Sequence, residues 1–131
     1  MRGRINHTYG GLMEKALQKT DLSSNLHKLD SFTNLKPGWD GHNAPSIPFG
    51  VIQKTRELIS ELSLQPELFP TTLKTIQLEY DNSQNDHMEI EISDADTAQL
   101  FIATSLGDEV VETIPSDIHS ISERITKFCE R

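Results

Sequence analysis

At Lys74 the hydrophobic period of this chain changes, and that change limits the fold more than any single motif does. Before it, apolar residues recur at helical spacing. After it they alternate. Val51, Ile52, Thr55, Leu58, Ile59 and Leu62 mark one face of a helix. Ile76, Leu78 and Tyr80 then alternate with Gln77, Glu79 and Asp81, and Met88, Ile90 and Ile92 alternate with Glu89, Glu91 and Ser93. A period of two places one set of side chains on one face of a sheet and the other set on the opposite face. A helical half followed by a strand half points to an α+β domain.

The rest of the chain fills in this plan. Leu22, Leu26, Leu29 and Phe32 predict a helix over 22–34, and a weaker pattern predicts one over 11–19. Ser46 reads as a helix start, with Pro48 in the first turn, where its missing N–H costs nothing. Residues 64–72 hold Pro66 and Pro70 and read as a linker. Asn82 to Asp86 and Ser93 to Thr97 read as turns. Leu100, Ile102 and Thr104 alternate with Phe101, Ala103 and Ser105, so both faces of that strand have apolar character. Gly107-Asp108 turns the chain into a fourth strand over 110–114. Asp117 opens a last helix, in which Ile118, Ile121, Ile125 and Phe128 form a stripe. The expected fold is a four-stranded antiparallel meander packed on helices, in the order α-α-β-β-β-β-α. Residues 1–10 are expected to form an N-terminal arm, and 11–131 a single domain.

Composition excludes several classes. The chain has 131 residues and one cysteine, Cys129, so it cannot form an intramolecular disulfide. That suits a reducing cytoplasm, and the expected location is cytoplasmic. No apolar run follows Arg2 and Arg4, and none reaches the roughly 18 residues of a membrane span. Neither a signal nor a membrane association is expected. Net charge is −8, unevenly spread. Residues 1–74 carry 9 Lys+Arg against 7 Asp+Glu, and residues 75–131 carry 3 against 13. An acidic half makes a poor phosphate binder, so no nucleic acid is expected there. It suits a basic protein partner, a cation, or solubility alone.

Pro37-Gly38-Trp39-Asp40-Gly41 holds the only tryptophan. The two glycines allow a sharp turn, and Asp40 can bond nearby backbone N–H groups. Trp39 can then cap the core, or stand exposed as an interface anchor. Glu79, Glu89 and Glu91 fall on one face of neighbouring strands, where opposed like charges cost about 0.2–1 kcal/mol per pair. They could hold Mg²⁺, Mn²⁺ or a basic side chain, or simply be the polar side of an alternating strand. The lysine that a common nuclease pattern places two residues after its second acid is absent, since Ser93 stands there. The five histidines have no metal-binding spacing, and no nucleophile elbow or phosphate loop is present. Cys129 reads as packing beside Phe128. The sequence therefore assigns no catalytic residue, no metal and no cofactor.

Leu35 to Ile47 (with its Gly38-Trp39-Asp40-Gly41 centre), Thr75-Ile76-Gln77-Leu78-Glu79-Tyr80 and Met88-Glu89-Ile90-Glu91-Ile92 together resemble small bacterial and phage-borne proteins of uncharacterised function. Those proteins carry a GWDGY-x-A-x-P-I box, a helix, an I-Q-L-E-W strand and an L-E-I-E-I strand. His42 stands where that family has Tyr, and Tyr80 where it often has Trp. The resemblance implies an accessory of mobile elements, defence systems or toxin–antitoxin neighbourhoods, and carries no activity with it. The leading expectation is a non-enzymatic protein-binding module, such as an antitoxin, immunity or anti-defence factor. It would bind through Trp39, Asp40, Glu79, Glu89 and Glu91. The alternative is a metal-dependent hydrolase or nuclease, in which Asp40 and His42 join the glutamates. A strand edge at 110–114 offers a route to homo-oligomers.

Overall fold

The computed structural model describes residues 20–131. The expectations for residues 1–10 and for a helix over 11–19 lie outside that range. Within it the order is α1 (Leu22–Phe32), α2 (Phe49–Ser60), β1 (Glu67–Pro70), β2 (Ile76–Asp81), β3 (His87–Ile92), β4 (Thr97–Ala103), β5 (Glu109–Pro115) and α3 (Ile118–Cys129). The α+β class and the antiparallel meander hold, but the sheet has five strands in the order β1-β2-β3-β4-β5, not four.

The extra strand is β1, in the segment read as a linker. Its two prolines do not exclude it, because β1 is an edge strand and Pro70 is its last residue. Contacts distant in sequence hold this segment in place. Buried Asn25 of α1 donates to Gln65 Oε1 (3.0 Å) and to the Pro66 carbonyl (2.9 Å). Gln65 donates to the Ile59 and Leu62 carbonyls at the end of α2. The Tyr80 hydroxyl donates to the Leu64 carbonyl at 2.7 Å.

The helices start by different means. Asp21 caps α1 by accepting from the Ser24 N–H at 2.8 Å. Asp117 caps α3 by accepting from the Ser120 N–H at 2.9 Å, as its position in the sequence suggests. In α2 the cap residue is Pro48, with no side-chain bond, so Ser46 does not have the capping role expected of it. Pro48 is held at φ −60 and ψ 143, which places its carbonyl to accept from the Val51 and Ile52 N–H groups.

All three described helices press their apolar sides on one face of the sheet. Leu29 and Phe32 of α1, Val51, Ile52, Leu58 and Ile59 of α2, and Ile121, Ile125 and Phe128 of α3 share one core with Leu78, Ile90, Leu100 and Ile114. Register aligns this core. Leu78 lies opposite Ile90, and Ile90 in turn lies opposite Leu100. Alternation therefore turns Gln77, Glu79, Glu89, Glu91 and Phe101 to the second face.

Candidate functional site

The second face of the sheet carries the acidic row. Glu67 lies opposite Glu79, Glu79 opposite Glu89, and Glu89 opposite Phe101. The glutamates of neighbouring strands thus meet as expected, but they are not solvated. Glu79 is 3% exposed and Glu89 is 0% exposed, while Glu91 is half-buried. A buried carboxylate needs a partner of opposite charge or a set of donors.

His87 is that partner for both buried acids. It opens β3, two residues before Glu89 on the same face, and lies opposite Asp81. Its Nδ1 is 2.9 Å from Asp81 Oδ1. Its Nε2 is 3.2 Å from Glu89 Oε2 and 3.4 Å from Glu79 Oε1. Burial alone would lower the pKa of this imidazole. Its hydrogen bonds to Asp81, Glu79 and Glu89 outweigh burial and lift it to about 10. His87 is therefore a cation at neutral pH, placed among three carboxylates. Glu79, Asp81, Glu89 and Glu91 each take part in a further interaction as well. On Glu91 one bond is clear: Thr75 Oγ1 donates to Oε2 at 2.7 Å.

The turn between β2 and β3 fixes this arrangement. Asn82 Oδ1 accepts from the Gln84 and Asp86 N–H groups at 3.0 Å each. Asn85 takes a left-handed conformation, which Asn tolerates. Asn82 Nδ2 also donates to the Phe128 carbonyl at 3.1 Å, joining the turn to the end of α3. Buried Asp86 accepts from the Ser105 N–H at 2.9 Å, and this bond to the β4–β5 turn holds its carboxyl below the usual range. Cys129, near the same end of α3, is half-buried, and burial pushes its thiol up.

The tryptophan loop is a separate structure on the helical side. Trp39 packs against the core cluster with its ring partly covered, and its Nε1 donates to the Pro45 carbonyl at 2.8 Å. Asp40 Oδ1 accepts from the His42 N–H (2.9 Å) and the Ala44 N–H (3.1 Å). These bonds, that to His42 first, hold the Asp40 carboxyl below its ordinary range. The Gly38 N–H closes the loop on the Ala44 carbonyl at 2.8 Å. The carboxylate that could have served a ligand is thus used on the loop's own backbone. Among the described residues, the group whose ligand atoms all lie within 4.8 Å of one another is Glu79, His87 and Glu89. Asp40, His42 and Glu91 are not in it.

His87 is the residue that the sequence reading missed, although its signal was present. Extending the alternation of β3 back by one residue from Met88 places His87 on the face of Glu89 and Glu91.

β5 is a second site of interest. It pairs with β4 on one side only, and among the described residues no strand covers its outer edge. Val110 and Val111 are exposed on it, and Leu106 projects from the preceding turn. Arg124 of α3 pairs with Glu112 from the helical side. Among the described residues, no helix is long and apolar enough to cross a membrane. Comparison with known proteins returns no matching family model, no matching curated protein and no matching solved structure.

Proposed function

We propose that this chain is a protein-binding module that receives an extended basic segment of its partner along the outer edge of β5. The observation that carries this reading is that, among the described residues, no strand covers this edge. β5 is seven residues long, and Val111 on it is 70% exposed. A free edge presents a row of backbone donors and acceptors that another strand can complete. The opposite edge is poorly suited, because β1 has four residues and ends in proline.

Charge selects the partner. Asp108 and Glu109 are exposed beside the two valines, within a half-chain of 3 basic and 13 acidic residues. A segment that alternates lysine or arginine with apolar residues complements this edge in both charge and hydrophobicity. A second copy of the chain does not, because its own edge, residues 108–115, holds Asp108, Glu109 and Glu112 and no lysine or arginine to answer them. The acidic hairpin face contributes less than the sequence alone suggests, since Glu79 and Glu89 are buried. An antitoxin, immunity or anti-defence role would use such an edge on a basic target.

Amide chemical-shift mapping of the isotopically labelled chain tests the reading, using two synthetic peptides of alternating Lys-Val and Glu-Val. The Lys-Val peptide should shift the amides of residues 109–114, and added salt should weaken its binding. The Glu-Val peptide should leave them unmoved. Shifts elsewhere, equal effects from both peptides, or a dimer by light scattering in the absence of peptide would each overturn the proposal.

A further inference from the structure

The imidazole of His87 and the carboxylates of Glu79 and Glu89 converge on one point from two adjacent strands. Nε2 lies 3.2 Å from Glu89 Oε2 and 3.4 Å from Glu79 Oε1. Two atoms bound to one ion at about 2.0–2.2 Å are separated by roughly 3–3.6 Å across the edge of its coordination shell. Both distances fall in that interval, and all three donor atoms lie within 4.8 Å of one another. The other ring nitrogen, Nδ1, is held by Asp81 at 2.9 Å. A carboxylate on the far nitrogen is the usual outer partner of a metal-bound imidazole.

We propose that Glu79, His87 and Glu89 form a three-ligand site for a borderline divalent cation of the Zn²⁺ class, with Asp81 as the residue that orients the imidazole. This reading is independent of the docking edge, which is built from other residues. A mixed set of one nitrogen and two carboxylate oxygens suits Zn²⁺, Co²⁺ or Mn²⁺. It supplies too few oxygens for Ca²⁺, which takes six to eight. The cation takes the place of the Nε2 proton, which leaves to solvent.

The path to the site runs past His87. Its side chain is 15% exposed, against 2% for Glu79 and 0% for Glu89. Such burial leaves no room for a substrate beside the ligands. The site is thus structural and pins β2 to β3, and the hydrolytic role considered for this carboxylate cluster does not follow from it. An ion that only the folded chain can bind contributes its binding energy to folding.

Calorimetric titration of the chelator-treated full chain with Zn²⁺ is the test, with Mg²⁺ as the comparison. One equivalent of Zn²⁺ should bind and raise the melting temperature, and Mg²⁺ should do neither. His87→Gln should abolish the stoichiometric site. Asp81→Asn should weaken it about 10–100-fold. His119→Gln, an exposed histidine on α3, should change nothing. Co²⁺ absorption of the unmodified protein keeps the test independent of how the variants fold. Visible bands of a nitrogen–oxygen site without a thiolate charge-transfer band are expected. Absence of Zn²⁺ saturation, saturation that survives in a folded His87→Gln variant, or a thiolate band from Cys129 would each overturn the proposal.

Discussion

Truncating Trp39 to alanine should destabilise the domain by about 3 kcal/mol. Removing a fully buried tryptophan side chain costs about 3–5 kcal/mol. Trp39 is half-buried against the core, so roughly 2 kcal/mol of that applies. Its Nε1–H bond to the Pro45 carbonyl at 2.8 Å adds about 1 kcal/mol, because the carbonyl loses its donor in a partly covered place. For a chain of 131 residues, each kcal/mol moves the melting temperature by roughly 3–5 °C, so the expected fall is about 10 °C. Trp39→Phe separates the two contributions. It keeps most of the apolar contact and loses the donor, and should cost only about 1 kcal/mol. Thermal melts followed by circular dichroism give both numbers, and urea titrations with unchanged slopes would show that the unfolded state is unaltered. Trp39 is the only tryptophan, so native fluorescence reports its environment directly. An Ala variant that melts within about 2 °C of the parent would correspond to well under 1 kcal/mol and refute the structural role of the ring.

Gly38 and Gly50 should respond to alanine in opposite directions. Gly38 has φ +84 and a Cβ there would meet the His42 carbonyl oxygen at 3.3 Å, so Gly38→Ala should cost about 1–2 kcal/mol in chemical denaturation. Gly50 is helical with nothing near its Cβ position, and Gly50→Ala should stabilise by about 0.5–1 kcal/mol in the same assay. Stability should also fall as pH rises. The folded pKa of His87, about 10, lies above its ordinary value of 6.5, so its contribution is complete below pH 6.5 and is lost as pH climbs toward 10. Unfolding free energies from urea titrations at pH 6.5 to 10 should fall by an amount on the order of a few kcal/mol, and His87→Gln should flatten the slope. Asp117→Ala removes the cap of α3 and should cost about 1 kcal/mol, read as a lower melting temperature.

Most of the elements are legible in the sequence because each rests on a local pattern. The stripe Ile118, Ile121, Ile125 and Phe128 gives α3, and Asp117 before it gives the start. The alternation Ile76, Leu78, Tyr80 gives β2 and the face it buries. β1 is different. Its four residues have no usable periodicity, and its identity as a strand comes from pairing with β2 and from Asn25, which lies 41 residues before the Pro66 carbonyl that it bonds. Pro48 shows the same limit on a smaller scale, since its backbone geometry, and not a Ser46 side chain, starts α2.

By itself, the sequence determined the α+β class, the meander, the acidic face shared by Glu79, Glu89 and Glu91, and a closed loop around Trp39. Those features follow from spacing along the chain, which fixes the direction of each side chain relative to its neighbours. Only the tertiary structure decided that Glu79 and Glu89 are buried and that His87 lies between them. Burial and cross-strand distance depend on how the strands register and on what covers the sheet. Spacing along one strand cannot supply either. The same glutamates therefore read as a solvated surface in the sequence and as a tight charge cluster in the folded chain.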